Sequence, residues 1–369
     1  MNNIGIVNFH YSNHNYGAVL QAVALHSYVN KELGYNSEHI NFMPIGVKVK
    51  WQAKLKSQVK AILMDLGLKE KKITHNSFVN PEIFQEFRDQ WLPTSAKTFY
   101  TFDELSQENL SYSHVVVGSD QVWRPSYTGN DSLVYFLAFL NKGVKKISYA
   151  ASFGNDFWEL NPDDTAKIAS EIKSFDAISV REKSGVDICK NTFEVSAEHV
   201  LDPTLLVGRG LFDDIIGDKS VNDAADIVYY KLDINSDFEV FINDVSASLK
   251  FTEKNIYYSS KGRSHYYSPV DSWLRNIKES KLVITDSFHC VCFAILFEVP
   301  FVYYPNDNRG LTRLESLLSL LDLTHHIYCG DVEPVELTKK LMNIDYVQVN
   351  KKLAELRNSS AKFLADALV

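Results

Sequence analysis

The chain has 369 residues, of which 45% are hydrophobic and 23% are charged, so it is long and apolar enough to bury two substantial cores. A formal net charge of -8, without a dense block of Lys and Arg, argues against wide nucleic-acid binding. Because no signal peptide is visible and no run approaches about eighteen consecutive apolar residues, we expect a cytoplasmic protein.

The first part of the chain has the strand, loop and helix pattern of a Rossmann-like domain. An apolar run at 4–9 predicts a strand, and a polar loop separates it from a helix predicted at about 17–33. A further extended segment at 37–42 completes a βαβ unit. The helical, amphipathic stretch at about 46–108 then interrupts the strands, and we interpret it as an insertion or cap.

Strands and polar residues alternate again after this insertion. Short strands are predicted at 115–117, 146–149, 177–180 and 199–201. A segment rich in Asp, Gly and Ser follows at 208–226, and we interpret it as the linker region between two domains. The first domain is therefore predicted to span 1–207.

A second alternating series predicts a second α/β domain at 208–349. Its strands are predicted at 227–230, 255–258, 282–285 and 301–304, with helices between them. A last helix is predicted at 350–369, and we expect it to cross back to the first domain. The predicted fold class is therefore α/β, with two Rossmann-like domains that face a cleft.

The four cysteines form neither a disulfide framework nor a zinc motif. Cys290 and Cys292 lack the two-residue spacer of structural zinc sites, and Cys189 and Cys329 lie far from them in sequence. We expect all four to be reduced core thiols. The sequence has no Gly-x-Gly-x-x-Gly motif, no P-loop and no metal-binding cluster, so we expect no cofactor and no catalytic metal.

The most informative stretch is 282–298, because it places a histidine where a buried strand becomes a helix. The residues Thr-Asp-Ser at 285–287 are good N-caps, and the apolar run after them predicts a buried helix that starts near Phe288. His289 then lies in the first helical turn. Ligands of open α/β sheets bind beyond the carboxyl ends of the strands, and helix N-termini favour anions. We therefore expect an anionic substrate near His289.

Six segments in chain order carry a specific pattern. They are 9–20 with Asn-Tyr-Gly-Ala at 15–18, 117–123 (Val-Gly-Ser-Asp-Gln-Val-Trp), 148–154 (Ser-Tyr-Ala-Ala-Ser-Phe-Gly), 178–182 (Ile-Ser-Val-Arg-Glu), 201–204 (Leu-Asp-Pro-Thr) and 285–289 (Thr-Asp-Ser-Phe-His). Together they resemble the polysaccharide pyruvyl transferase family over most of the chain. The resemblance implies two Rossmann-like domains similar to GT-B glycosyltransferases. It also implies an enzyme that moves the enolpyruvyl unit of phosphoenolpyruvate, as co-substrate, onto two hydroxyls of a sugar as a cyclic ketal.

The resemblance gives the central roles to His289 and Arg181. Ketal formation from an enol phosphate needs a proton at the methylene carbon, and histidine can be an acid in one step and a base in another. His289 is therefore the candidate general acid, and the alternative is a histidine that only satisfies a helix cap. Arg181 matches the donor-binding arginine of the family, since Arg suits planar carboxylate and phosphate groups. The alternative for Arg181 is a surface ion pair with Glu182.

The donor site departs from the family pattern. The family often has an arginine where this chain has Ser287, and Cys290 replaces the usual glycine after the histidine. Ser287 and Phe288 are still expected at the donor site. Arg309 and Arg313 follow the last strand, and they are candidates for the missing positive charge or structural arginines at a helix start.

The acceptor side is expected at the first and third strands. Asn15 and Gly17 open the first helix, where small residues let the backbone approach a ligand or simply form a capped turn. Ser119 and Asp120 follow the third strand, and Asp120 is a candidate to orient or deprotonate an acceptor hydroxyl, or else a helix cap. Trp123 either stacks on a sugar face or fills the core.

Three functions are open at this point. The first is a pyruvyl transferase acting on a surface-polysaccharide precursor of capsule or exopolysaccharide type, with phosphoenolpyruvate and a sugar acceptor as partners and no nucleic acid. A lipid-linked acceptor would bring it to the inner face of the membrane as a peripheral protein. The second is a GT-B glycosyltransferase that uses a nucleotide sugar, because fold alone cannot separate the two. The third is a non-catalytic carbohydrate-binding protein of the same pathway.

Overall fold

A computed structural model describes most of the chain. The described residues are 3–44, 78–218, 224–262, 264–306, 311–330 and 341–369, together with Glu336 and Thr338.

The first sheet is parallel throughout, in the order β2-β1-β3-β4-β5-β6. Its strands are β1 (Asn3–Val7), β2 (Asn36–His39), β3 (His114–Val117), β4 (Lys145–Ala151), β5 (Ala177–Val180) and β6 (Glu198–His199). The strand order reverses between β1 and β3. Ligands of open α/β sheets bind at such a switch point, so the loops after β1 and β3 are placed for binding.

The second sheet is also parallel, in the order β12-β11-β7-β8. Its strands are β7 (Ile227–Tyr230), β8 (Glu253–Asn255), β11 (Leu282–Thr285) and β12 (Phe301–Tyr303). An antiparallel hairpin of β9 (Tyr258–Lys261) and β10 (Ser264–Tyr267) lies between β8 and β11 in sequence. The single strand predicted at 255–258 was wrong, because β8 ends where that prediction begins and the hairpin starts where it ends.

Helices connect these strands. Their bounds are α1 (Tyr16–Ser27, extended by a π-helical turn at Tyr28–Glu32), α2 (Glu82–Trp91), α3 (Phe102–Ser106), α4 (Pro125–Thr128), α5 (Ser132–Tyr135), α6 (Pro162–Ile172), α7 (Lys183–Phe193), α8 (Pro203–Val207), α9 (Gly210–Ile216), α10 (Ser236–Leu249), α11 (Val270–Glu279), α12 (Phe288–Leu296), α13 (Thr312–Leu320) and α14 (Tyr346–Ala367). Within the described ranges, no helix combines the length and the apolar content that crossing a membrane requires.

Two sequence predictions need correction or restriction here. The segment at 208–226 was interpreted as a linker, but it contains α9, whose apolar side chains Leu211, Phe212, Ile215 and Ile216 are buried. The abundant Asp and Gly residues obscured this helical spacing. Of the insertion predicted at 46–108, residues 46–77 lie outside the described residues, and the remainder contains α2 and α3.

One hydrophobic core runs across both halves of the molecule. Tyr16 and Leu20 of α1 pack in the same cluster as Val228 of β7 and Phe293 of α12. The ring of Tyr16 stacks on Trp273, with the ring centroids 4.9 Å apart, and its hydroxyl donates to the Ser268 carbonyl at 2.7 Å. The start of α1 is therefore fixed against the second sheet.

The last helix, α14, packs on the first sheet although it follows the second one. Phe363, Leu364 and Leu368 share a buried cluster with Ile4 and Leu25. The hydroxyl of Ser360 also accepts a hydrogen bond from the Leu201 amide at 2.9 Å. This packing ties the C-terminal segment to the point where β6 leads into α8.

The cysteine prediction is confirmed for three of the four residues. Cys189, Cys290 and Cys292 are free thiols in the core. Cys329 is exposed, so its assignment to the core was wrong. It lies beyond β12, where the usual burial of free cysteines, on which the prediction rested, does not apply.

Candidate active site

The strand-to-helix turn predicted around His289 is confirmed. β11 ends at Thr285, and the Ser287 hydroxyl caps α12 by accepting a hydrogen bond from the Cys290 amide at 3.4 Å. The Thr285 hydroxyl accepts from the Ser287 amide at 3.0 Å and so fixes the turn. His289 lies in the first turn of α12, with 6% of its surface exposed.

Arg181 lies at the centre of a buried cluster of charges at the carboxyl ends of the first sheet. Its Nη2 is 3.0 Å from Asp120 Oδ1, and its Nη1 is 2.9 Å from Asp202 Oδ2. Asp120 follows β3 with a φ of 73°, a left-handed conformation that Asp tolerates better than most residues. The guanidinium is thus held between two carboxylates, and its side chain is fully buried.

Asp202 connects this cluster to His289. Its Oδ2 accepts a hydrogen bond from the Ser119 hydroxyl at 2.8 Å and lies 3.6 Å from His289 Nε2. The same Nε2 is 3.4 Å from Arg181 Nη1. His289 therefore contacts an anion and a cation that both come from the first sheet.

Sequence reasoning missed Asp202, although the signal was present. Asp202 follows the β6 segment and precedes Pro203, as an N-cap does before a proline at the first helical position. Its Oδ1 accepts from both the amide and the hydroxyl of Thr204. The same strand-end argument that singled out Asp120 and Arg181 applies to Asp202.

The charges of the cluster stabilise one another. Burial acts to raise the pKa of Asp202, but the His289 imidazole and the Arg181 guanidinium outweigh it and hold the pKa well below that of a free aspartate. The pKa of Asp120 is lowered in the same way, because Arg181, His289 and Arg313 together outweigh burial. Both carboxyl groups are consequently ionised at neutral pH.

Glu182 does not form the surface ion pair with Arg181 that was the alternative from sequence. Both side chains are buried, and Glu182 Oε1 instead accepts hydrogen bonds from the amides of Phe153 and Gly154 at 2.7 and 3.3 Å. Burial raises the pKa of the Glu182 carboxyl despite the nearby arginines. That alternative is therefore wrong, because Glu182 braces the loop after β4.

Phe288 and Gly17 shape the walls around the histidine. The ring of Phe288 lies beneath Arg181, with 4.7 Å between the guanidinium carbon and the ring centroid. Gly17 lies in the first turn of α1, and a Cβ placed there would be 2.1 Å from His289 Nδ1. Only a glycine at this position lets α1 and α12 approach so closely. Asn15 caps α1, since its Oδ1 accepts from the Ala18 amide at 3.2 Å.

Trp123 is not available to a sugar, so its prediction as an acceptor residue was wrong. Its indole is fully buried, stacks on Phe136 with 5.2 Å between ring centroids, and donates to the Tyr135 carbonyl at 2.9 Å. The apolar neighbourhood of α5 accounts for this position, because the side chain fills the core beneath the loop after β3. The exposed aromatic residue of this region is Tyr127, with 52% of its surface accessible.

Arg313 faces the same charge cluster from the second half of the chain. It is partly buried at the start of α13, and its Nε has no hydrogen-bond partner among the described residues. Burial and the Arg181 guanidinium lower its pKa, whereas Asp120 and Glu182 oppose that shift. Arg313 is thus a cation directed at the cluster. Arg309, the other arginine predicted from sequence, lies outside the described residues.

A second buried ion pair supports the turn that carries His289. Lys231, just after β7, places its Nζ 2.9 Å from Asp286 Oδ2, and both side chains are almost fully buried. Asp286 also accepts hydrogen bonds from the Leu232 amide at 3.0 Å and from Asn306 Nδ2 at 3.1 Å. Asp286 therefore joins the ends of β7, β11 and β12 and does not cap α12.

A cavity of about 780 Å³ lies beyond the end of β12. Its walls include Tyr304, Leu311, Glu315 and Tyr328, and none of the cluster residues lines it. Among the described residues, no group of three or more His, Cys, Asp and Glu side chains is placed to hold a metal ion.

Comparison with known proteins shows a match to one protein family and a similarity to several solved structures. The family described as polysaccharide pyruvyl transferase matches residues 15–308, which is most of the chain. No curated protein sequence gives a significant match.

Among solved structures, a protein assigned as a UDP-N-acetylglucosamine 2-epimerase from Listeria monocytogenes has 11% identity and a TM-score of 0.50, over 97% of this chain and 90% of that one. A mutant O-GlcNAc transferase from Thermobaculum terrenum has 11% identity and a TM-score of 0.49, over 100% of this chain and 66% of that one. The UDP-GlcNAc 2-epimerase from Neisseria meningitidis has 9% identity and a TM-score of 0.47, over 100% and 99%. The predicted α/β, GT-B-like fold class is confirmed.

Proposed function

Since the chain belongs to the polysaccharide pyruvyl transferase family, we propose that it forms a cyclic pyruvate ketal on a sugar of a surface-polysaccharide precursor, with phosphoenolpyruvate as the donor. The position of His289 carries this proposal. It is an ionisable side chain at the N-terminus of α12, next to the N-terminus of α1, in contact with Arg181 and Asp202. Helix N-termini favour bound anions, and an ionisable side chain located there can donate a proton to one.

The reaction needs one acid and two hydroxyl nucleophiles. The methylene carbon of phosphoenolpyruvate accepts a proton from His289, and the resulting oxocarbenium-like carbon is attacked by one sugar hydroxyl. Phosphate then leaves, and the second hydroxyl closes the ketal. The two hydroxyl protons must be removed: the imidazole left neutral by the first step accepts one of them, and the departing phosphate takes the other.

The negative charge of the donor is best neutralised by Arg313. The positive charge of Arg181 is already opposed by Asp120 and Asp202, whereas Arg313 has no such close carboxylate among the described residues. A phosphate or carboxylate oxygen beside Arg313 would also lie near the open end of the charge cluster. We assign Arg313 to the donor, with Ser287 and Phe288 forming the adjacent wall and Arg181 holding the cluster together.

Asp120 and Tyr127 are the acceptor candidates that the geometry favours. Asp120 Oδ1 is bound by Arg181 and by the Gln121 amide, while its Oδ2 has no hydrogen-bond partner in the described part of the chain and can receive a sugar hydroxyl. Tyr127 has one face on the Arg124 guanidinium, 4.4 Å from the ring centroid, and is otherwise half exposed. A sugar ring can pack on such a supported aromatic face.

The direct test is a product assay. The protein is incubated with phosphoenolpyruvate and a panel of free and lipid-linked glycosides, and mass spectrometry is used to detect a pyruvate ketal while released phosphate is counted. Equal amounts of ketal and phosphate, both absent with His289→Gln, would support the proposal. Glycosyl transfer from a nucleotide sugar under the same conditions would instead support the glycosyltransferase alternative.

A further inference from the structure

One hydroxyl of α13 joins the second half of the chain to the turn that follows β5. Ser316 Oγ accepts a hydrogen bond at 3.0 Å from the amide of Lys183, the first residue of α7. It also lies 3.4 Å from Nε2 of His199, the last residue of β6. Lys183 and His199 both belong to the first half of the chain, and Lys183 is two residues from Arg181. Ser316 therefore links the two halves close to the charge cluster.

The direction of the hydrogen bonds at this link follows from the groups that take part. His199 Nε2 lies 3.1 Å from the carbonyl oxygen of Arg181. Because a carbonyl oxygen can only accept, Nε2 carries the hydrogen and shares it between this carbonyl and Ser316 Oγ. Ser316 Oγ is thus an acceptor for two donors of the first half. The same imidazole also holds the backbone of Arg181, the central residue of the cluster.

Ser316 and Arg313 lie side by side on α13. They are three residues apart, so their side chains are neighbours on the surface of the helix. The charge of Arg313 is among those that act to lower the pKa of the Asp120 and Glu182 carboxyl groups, which places it near the cluster. Arg313 Nε is buried, and no hydrogen bond to the described residues fixes it. The position of the guanidinium therefore depends on how α13 is seated.

We propose that Ser316 is a positioning residue, which seats α13 on the turn after β5 and so holds Arg313 towards the charge cluster. Leu314, Leu317 and Leu318 bury another side of α13 in the hydrophobic core. Their apolar contacts are non-directional, whereas the hydrogen bonds of Ser316 define how the helix is rotated against the first half. The inference rests on the proposed function only for the identity of the anion that Arg313 binds.

The seating of Arg313 can be measured in the free protein. NMR spectra of ¹⁵N-labelled protein show the arginine Nε–H groups, and the Arg313 signal is assigned from its loss in Arg313→Gln. Ser316→Ala should speed the exchange of this buried Nε–H with solvent several-fold, because α13 then opens more often. Ser319→Ala is the matched control, since it makes the same change of residue type at an exposed position of the same helix. Equal exchange rates in the two variants would overturn the proposal.

Calorimetric titration with phosphoenolpyruvate tests whether Ser316 acts through Arg313. Ser316→Ala should weaken binding about three- to tenfold, as expected for the loss of a hydrogen bond between neutral groups. In the Arg313→Gln background the same substitution should have no further effect, because the guanidinium that it would displace is absent. Unchanged affinity in Ser316→Ala, or an equal loss in both backgrounds, would overturn the proposal. If the parent protein does not bind phosphoenolpyruvate, the proposed function fails, and the exchange rates of Arg313 still decide the role of Ser316.

Discussion

At the scale of single residues, the environment of Arg181 limits its ability to bind an anionic substrate. Its guanidinium lies between Asp120 and Asp202, so these two carboxylates and one guanidinium carry a net negative charge. A dianionic or trianionic donor would be repelled by this set alone. Arg313 is a further cation near this set, and we expect it to supply the positive charge for an anionic donor.

We expect Arg313→Gln to weaken donor binding selectively. Loss of a charge-assisted hydrogen bond costs about 1.5–3 kcal/mol, which corresponds to roughly ten- to a hundredfold in affinity, and calorimetric titration with phosphoenolpyruvate measures it. Arg209→Gln, which removes an exposed arginine paired with Asp213, serves as the control. Equal donor affinity in the two variants would exclude Arg313 from the donor site.

Gly17→Ala tests the close approach of α1 to the histidine. An added methyl group would lie 2.1 Å from His289 Nδ1 and 2.7 Å from His289 Cβ, so the ring must move. A displacement of about 1 Å costs on the order of a hundredfold in turnover. Gly210→Ala is the control, since its new methyl group meets no atom within 4 Å. Normal turnover in Gly17→Ala would show that the position of the ring is not critical.

At the scale of elements, the turn between β11 and α12 depends on the pair of Lys231 and Asp286. Both are almost completely buried, and Asp286 binds groups from the ends of three strands. A buried pair is a poor source of net stability compared with apolar residues, but the loss of one partner leaves an uncompensated charge. The pair therefore fixes the geometry of the turn more than it stabilises the fold.

We predict that Asp286→Asn lowers the free energy of unfolding by about 3–5 kcal/mol, because Lys231 is then buried without its counterion. The double variant Lys231→Met/Asp286→Asn should recover most of this loss, as no charge remains. Urea unfolding followed by fluorescence gives both values. If the double variant is as unstable as the single one, the shape of the turn and not the charge is what Asp286 provides.

The elements of the site could be predicted from the sequence because each follows a short apolar strand. The strand at 282–285, the cap at Ser287 and the start of α12 at Phe288 are all confirmed. The sequence pattern does not decide whether Trp123 faces a ligand or the core, because an indole just after a strand is compatible with both positions. Its burial depends on the ring of Phe136 and the carbonyl of Tyr135, the latter 12 residues further along the chain.

Asp202 illustrates the other limit of sequence reasoning. Its neighbours in sequence identify it only as a helix cap, and its contacts with Ser119, Arg181 and His289 come from segments up to 87 residues away. Contacts between residues so far apart in sequence depend on the order of the strands in the sheet. The order of the first sheet, in which β3, β4, β5 and β6 are successive neighbours, brings the ends that carry Ser119, Arg181 and Asp202 together, whereas His289 comes from the second sheet. Local sequence patterns do not encode this order.

At the scale of the whole molecule, two buried histidines and one partly buried histidine should make the fold sensitive to acid. His10, His26 and His39 lie near one another, with ring centroids 5.4 Å apart for the first and third and 6.4 Å for the second and third. Burial lowers the pKa of His10 and of His26 from 6.5 to about 4, and that of His39 well below 6.5. All three are neutral in the folded protein at pH 7.

Their lowered pKa values set the direction of the pH effect. As the pH falls below 6.5, the unfolded chain binds protons that the folded chain excludes, so stability decreases until the folded pKa near 4 is reached. Each of His10 and His26 should cost about 3 kcal/mol over this range. Urea unfolding at several pH values measures the slope. His39→Leu should reduce the dependence of the free energy of unfolding on pH. His325→Gln, at an exposed position, should leave this dependence unchanged.

The stack of Tyr16 on Trp273 also has a consequence for how the molecule melts. It belongs to a core that both sheets share, and α14 returns to the first sheet after the second is complete. Neither half can expose its interior without opening the other. We therefore expect a single calorimetric transition, with equal calorimetric and van't Hoff enthalpies, despite the two-sheet architecture. Tyr16→Ala should lower the midpoint of this transition without splitting it, because the other residues of the shared core and α14 still join the two halves.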